Sequence, residues 1–265
     1  MTTGVSSGAP EGERIPNLKS GDPDYRAFVG PPSQYDIMGA TQFSLLFSLG
    51  MRSKDRVLDI GCGSLRSGRL FIAYLDSGKY TGIEPNKWLV DDAIEKQIGK
   101  DVLSIKAPTF VYNDQFDVSG LGNFDFIVTQ SIASHTGPDM TKLLLRSIGA
   151  ALLPKGVAAV TFMHSKRVDN AAEGWFYPEG VRYRRETIDR WIHEVGLKGT
   201  PIAWFHPRQT WWLVVHEKTV IPPRVFRWLA RGETLAMKRS WDPVERARGP
   251  ANLVRASIGK ALRHR

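Results

Sequence analysis

A single cysteine, Cys62, is too few for an internal disulfide or for a cysteine-built zinc cluster. No apolar run approaches the ~18 residues that a membrane-crossing helix requires. The opening stretch, MTTGVSSGAPEGERIPNLKS, also lacks an apolar run of secretory length. Together these absences point to the cytoplasm as the working compartment. Internal repeats are missing too, which argues against a solenoid or propeller. What is present is ordinary for a soluble chain: 42% hydrophobic and 24% charged residues over 265 positions, enough for one domain with appendages.

Negative charge is scarce at one end. Residues 221–265 hold eleven Lys/Arg against three Asp/Glu, so they carry +8 of the formal +9 and leave the other 220 residues at +1. The basicity therefore describes a tail. Residues 1–33 contain five prolines and five glycines with no sustained apolar period, and read as a mobile or loosely docked leader. The intended division is a leader over 1–33, a domain over 34–218 and a basic tail over 219–265.

Between leader and tail, strands and helices alternate. A helix capped by Asp36 is expected through Gly50, then a strand at 56–61 and a helix at 64–75. A strand at 79–84 leads into a helix over 85–99. Strands at 109–113 and 124–130 precede a helix over 139–153, closed by the turn Pro154-Lys155-Gly156. A strand at 157–163 and a helix ending at Gly196 follow, and then strands at 202–205 and 211–217 joined by the short loop HPRQT. Alternation implies a parallel sheet with helices on both faces, and the closing hairpin requires one antiparallel strand.

Ligands of such sheets bind beyond the carboxyl ends of the strands. The first of these loops lies within VLDIGCGSLRSGRL (57–70), where glycines admit a ligand close to the backbone. Glu84 ends the second strand, placed to accept both hydroxyls of a ribose. Arg66 stands where a dinucleotide fingerprint needs its third glycine, which argues against nicotinamide cofactors. Asp59 before the glycines suits an ammonium or sulfonium and would repel a pyrophosphate.

Residues 35–217 resemble the class I S-adenosylmethionine-dependent methyltransferases. The resemblance is carried by VLDIGCG (57–63), GIEPN (82–86), ND before QFDVSGL (113–121), FDFIVTQSIASH (124–135), LLPKG (152–156) and the closing hairpin. It implies an α/β, doubly wound, seven-stranded and mostly parallel Rossmann-like sheet with one antiparallel strand. It also implies S-adenosyl-L-methionine as cofactor: Asp59, Gly61 and Gly63 at the methionine, Glu84 at the ribose, and Asp114 with Gln115 or Phe116 at the adenine. Gln130 would approach through its backbone. The chain departs from the family's usual Gly-x-Gly-x-Gly at Leu65, in the third glycine's place. The pairing of GCGSLR with GIEPN resembles bacterial enzymes that methylate sugars and glycans.

A sugar hydroxyl needs a base as its bond to the methyl forms. His135, five residues past the fourth strand in the polar loop SHTGPD, is the candidate, although a helix-capping role fits the same position. Asp139 either orients His135 or caps the following helix. No acidic cluster completes an oxygen site around them, so no metal is expected. The stretch 164–184 concentrates Trp175, Phe176, Tyr177 and Tyr183, whose aromatic faces suit a sugar or simply pack on the sheet. His164, Trp175, Tyr177 and His206 are the expected acceptor contacts. Cys62 reads as a small buried residue.

In the tail, Val254, Ile258 and Leu262 share one helical face beside Arg255, Lys260, Arg263 and Arg265. A basic amphipathic helix of this kind can lie on an anionic membrane, here the inner face, with Phe226, Trp228 and Trp241 adding to it. Docking on a second copy in a homo-oligomer and binding of nucleic acid are the other readings of the same charge. An RNA methyltransferase would be expected to carry positive charge along its cleft, and the domain is nearly neutral. A noncatalytic partner that only holds the cofactor is the remaining alternative.

Overall fold

The computed structural model describes residues 18–221 and, beyond them, 223, 225, 226 and 229. Seven strands form one sheet: β1 (Val57–Ile60), β2 (Tyr80–Ile83), β3 (Thr109–Val111), β4 (Phe124–Thr129), β5 (Leu152–Phe162), β6 (Leu197–Ile202) and β7 (Thr210–His216). Their order across the sheet is β3-β2-β1-β4-β5-β7-β6. Pairing is parallel from β3 through β5, and β7 runs antiparallel to both β5 and β6. The expected α/β architecture with one antiparallel strand is the one observed.

Among residues 18–221, six α-helices flank the sheet: α1 (Tyr35–Ser48), α2 (Gly68–Tyr74), α3 (Lys87–Ala93), α4 (Lys100–Lys106), α5 (Pro138–Ala151) and α6 (Arg185–Glu194). A π-helical turn (Ile94–Ile98) extends α3. Successive strand residues point to opposite faces, so the strands divide their side chains between two cores. Leu58 and Ile60 of β1 join Leu144, Ile148 and Trp191 of α5 and α6 in one core, while Val57 joins Leu46 and Phe71 of α1 and α2 in the other. Trp211 and Trp212 of β7, both fully buried, are divided in the same way.

The chain reverses direction across the sheet between β1 and β4, and this opens the crevice in which such folds hold ligands. The loops after these two strands touch there. Gly61 has φ +75, and a Cβ on it would lie 2.2 Å from Ile132 Cδ1. Only glycine allows both that backbone and that approach.

Several elements differ from expectation for local reasons. Residues 64–67 are turns, because Leu65 takes a left-handed φ of +55, and α2 begins only at Gly68. Asp36 is in the first turn of α1 and ion-pairs with Arg69, while Gln34 holds the cap position. The charged stretch 100–106 forms α4 after the break at Gly99. Pro154-Lys155-Gly156 lies within β5 at an irregularity in its pairing with β4. The sixth strand starts directly after Gly196, and the apolar run at 202–205 mostly leaves the sheet; Trp204 donates from Nε1 to the Thr41 carbonyl at 3.0 Å.

The leader and tail divide likewise. Residues 18–33 lie against the domain, with Ala27 fully buried; the reading of 1–17 lies outside the described residues. Ile221, Val225 and Phe226 pack on the core beneath α1 and α2, and Leu229 is buried in it. Phe226 thus belongs with the domain and not with a membrane-facing surface. The remaining tail, including the helix expected over 251–265 and both Trp228 and Trp241, lies outside the described residues.

Candidate active site

One cavity of about 520 Å³ opens at the crevice, a size suited to a cofactor or small ligand. The loops after β1, β2 and β3 build one half of it. Asp59, Gly61, Gly63, Glu84, Asp114 and Phe116 all line it, and so does Gln130, after β4. Gln115 does not. Its side chain is exposed and donates to Asp114 Oδ1 at 3.1 Å, because the left-handed turn at Phe116 (φ +54) sends Phe116 inward instead.

Glu84 is buried at the end of β2. One carboxylate oxygen accepts the Gly63 N–H at 3.0 Å, and the other accepts the Asn86 N–H (3.0 Å) and Nδ2 (2.9 Å). Burial raises its pKa, and these three donors oppose that shift. The same carboxylate therefore ties the glycine loop to β2 and presents an acceptor to the cavity. Asp59 is 2% exposed, and its Oδ2 accepts Tyr80 Oη at 3.0 Å and Ser67 Oγ at 3.3 Å. Burial pushes its pKa up to about 7 against the pull of those two hydroxyls. A cationic ligand group beside it would restore the ionised form.

Leu65 keeps the left-handed backbone that glycine usually supplies. Such a φ costs an L residue about 1–2 kcal/mol. Complete burial of the leucine side chain, worth about 1.5–3 kcal/mol, offsets it. The loop follows its tight path without the third glycine.

Three wall elements escaped the sequence. Arg66 is half-buried: its Nη1 donates to the Val29 carbonyl at 2.8 Å, its Nε has no partner among the described residues, and desolvation lowers its pKa to about 10. The segment before α1 contributes Ser20, Phe28, Val29 and Gly30. Phe28 packs between Trp88 (5.3 Å) and Tyr177 (5.1 Å), and the Tyr177 hydroxyl donates to the Phe28 carbonyl. Arg208 and Gln209, from the connection before β7, complete the rim.

The opposite half is built by the segments following β4 and β5, and His135, Trp175 and Tyr177 line it, with Met163. His135 Nδ1 lies 2.5 Å from the Glu179 carbonyl oxygen. A carbonyl can only accept, so Nδ1 carries the proton and Nε2 is left as an acceptor. Burial lowers the His135 pKa, the Glu179 bond raises it and the charge of Arg208 lowers it, so the ring is held neutral. Its side chain caps no helix. Asp139 neither orients His135 nor caps α5: its carboxylate accepts the Gly174 N–H at 2.9 Å, and Gly137 holds the cap position. Trp175 packs on Phe116 at 5.5 Å, joining the two halves.

Two expected acceptor contacts lie elsewhere. His164 stacks on Trp212 and accepts its indole N–H at 3.1 Å, so the bridge to Tyr183 turns it away from the cavity walls. His206 Nδ1 accepts the N–H groups of Arg208 (3.2 Å) and Gln209 (3.0 Å), pinning that connection, and burial takes its pKa to about 3. Cys62 is buried, and its pKa is raised well above the usual value, chiefly by desolvation. Among the described residues no group of three or more His, Cys, Asp or Glu side chains assembles that could hold a metal ion.

Residues 58–158 match a family model described as a methyltransferase domain. Solved structures with a similar chain path include a TehB-like SAM-dependent methyltransferase from Corynebacterium glutamicum (18% identity, 67% of this chain and 88% of that one, TM-score 0.50). The magnesium protoporphyrin IX methyltransferase from Synechocystis with bound SAH is another (13% identity, 69% and 86% covered, TM-score 0.53). So is an amino pentose methyltransferase from Micromonospora echinaspora (14% identity, 68% and 91% covered, TM-score 0.52). At such identities the likeness is one of fold.

Proposed function

We propose that this chain, which carries a methyltransferase domain of the class I fold, moves a methyl group from S-adenosylmethionine to a hydroxyl of a sugar, glycan or glycolipid. The donor set fits the cofactor: a carboxylate at the ribose position (Glu84), a second (Asp59) for the cationic amino-acid end, and Asp114 with the Phe116 ring for the adenine. When bound, S-adenosylmethionine supplies an electrophilic methyl group on a sulfonium.

The residues of the opposite half do the rest. The observation that carries hydroxyl chemistry is the Nδ1 contact of His135 with the Glu179 carbonyl, which leaves a neutral ring with a free acceptor in the cavity wall. Nε2 would accept the proton of an aliphatic hydroxyl held beside it, a contribution of about 10²–10⁴-fold for a placed base. Tyr177, edge-on to His135 at 5.1 Å, fixes the ring's tilt. Trp175 and Tyr177 offer aromatic faces to a sugar ring. Holding the hydroxyl within about 3–3.5 Å of the methyl carbon supplies much of the remaining rate.

The test uses methyl-labelled S-adenosylmethionine with cell lysate separated into lipid, soluble glycan, RNA and protein fractions. Wild type is expected to label glycan or glycolipid in alkali-stable form, as an ether is, and His135→Gln to lose at least 100-fold of that label. Label in RNA would transfer the assignment to nucleic acid. Cofactor binding without any label would assign a noncatalytic role. We propose further that the basic tail brings the domain to an anionic membrane surface, at the inner face of the cell membrane.

A further inference from the structure

The charges of the cavity wall are unevenly placed. Asp59 in β1, and Glu84 and Asp114 in the loops after β2 and β3, all lie on the side where the cofactor is read. The opposite half has no carboxylate among its lining residues. It has instead Arg208, an exposed arginine whose guanidinium forms no ion pair or hydrogen bond among the described residues. The other lining arginine, Arg66, is half-buried and engaged with the Val29 carbonyl.

Arg208 is not carried on a loose loop. Its own N–H and that of Gln209 are both accepted by His206 Nδ1, and the His206 ring packs edge-on to the buried Trp211 at 6.4 Å. Gln209 is fixed in turn, its Nε2 donating to Ser131 Oγ at 2.8 Å. The backbone that presents the guanidinium is therefore tied both to β7 and to the loop after β4, which also carries His135. Arg208 and His135 are close enough that the charge of one acts on the ring of the other.

An unpaired guanidinium on an anchored backbone, lining the same half-cavity as His135 and facing no acids there, fits a planar or tetrahedral anion. We propose that Arg208 is a specificity-determining residue that binds an anionic group, carboxylate or phosphate, on the same acceptor whose hydroxyl His135 deprotonates. The acceptor is then an acidic sugar, such as a uronic acid or a sugar phosphate, and not a neutral one. The inference rests on the reading of this half-cavity as the acceptor site.

The experiment gives the full chain methyl-labelled S-adenosylmethionine and a protein-free, nuclease-digested cell extract, then passes the products over an anion exchanger at pH 7. Label from wild type is expected to be retained. Phosphatase treatment releases it if the anion is a phosphate and leaves it bound if it is a carboxylate. Arg208→Gln is expected to lose at least tenfold of the retained label, and Arg208→Lys to recover part of it, with the affinity of both variants for S-adenosylhomocysteine within about twofold of wild type. Label in the unretained, neutral fraction overturns the proposal, as does retained label that Arg208→Gln leaves unchanged. No label in any fraction overturns the methyl-transfer reading itself, and the proposal with it. A variant that loses S-adenosylhomocysteine binding as well would show Arg208 to be structural, which also overturns it.

Discussion

Asp59→Asn is expected to stabilise the protein in alkaline solution while weakening its cofactor site. Asp59 is 2% exposed, and its two hydrogen-bond donors, Tyr80 and Ser67, are both neutral. Its carboxyl therefore titrates near 7 in the fold against 3.8 in the unfolded chain. A pKa raised by folding gives stability that is full below 3.8 and is lost as pH rises through about 7. At about 1.4 kcal/mol per pH unit, that interval sets an upper bound of about 4 kcal/mol at pH 8.5.

Asparagine is neutral throughout and escapes the loss. Its amide oxygen, standing where Oδ2 stands, still accepts from both Tyr80 and Ser67, but its NH2 group takes the place of Oδ1, and a buried donor left unsatisfied costs about 1–3 kcal/mol. The net gain at pH 8.5 is then about 1–3 kcal/mol, or roughly 2–10 °C in Tm for a domain of this size. At pH 5 wild type has lost at most about 1.6 kcal/mol, at about 1.4 kcal/mol per unit above 3.8, and the unsatisfied amide offsets this, so the variant should gain at most about 0.5 kcal/mol. Thermal unfolding of both proteins at pH 5 and 8.5 makes the comparison. Equal stability at pH 8.5 would refute the reasoning, since it would mean that Asp59 ionises in the fold without penalty. The acid is retained, on this account, because a cationic ligand group recovers the loss on binding.

Two further outcomes follow from the loop and the tail. Leu65→Gly relieves a left-handed backbone worth about 1–2 kcal/mol but empties a fully buried site, where loss of a leucine side chain costs about 2–5 kcal/mol; chemical denaturation should show a net loss of about 1–3 kcal/mol, and a more stable variant would contradict the balance. Removal of residues 231–265 takes away nine Lys/Arg and three Asp/Glu but spares the buried Leu229; at about 1 kcal/mol per basic residue near an anionic surface, it should abolish sedimentation with phosphatidylserine vesicles and leave cofactor affinity intact. Full-length protein that does not sediment would end the membrane proposal.

The parts of the site legible in the sequence are those written in short-range signals. Gly61 and Gly63 end a strand that carries its own apolar pattern, and Glu84 ends the next, so the two loops could be placed before the sheet was seen. His135 follows β4 closely enough for its side of the sheet to be inferred. The misplaced residues depend on where loops turn. His164 and His206 both follow strand-like runs close to the crevice, yet aromatic neighbours in β7 decide their orientation: Trp212 holds one and Trp211 flanks the other. The segment around Phe28 and Val29 was invisible for a different reason. Its ties to Tyr177 and Arg66 run through backbone carbonyls, which no residue pattern records. Arg66 stands out in the sequence only as a missing glycine; its place in the wall depends on the turn that Leu65 makes without one.

Calorimetric titration of S-adenosylhomocysteine into wild type and Glu84→Ala at pH 7.5 decides whether the crevice between β1 and β4 is an S-adenosylmethionine site anchored by Glu84. Each charge-assisted bond to the ribose is worth about 1.5–3 kcal/mol, so the account predicts binding by wild type and at least a tenfold loss in the variant. Binding that is absent from wild type, or that Glu84→Ala leaves within twofold, would contradict it.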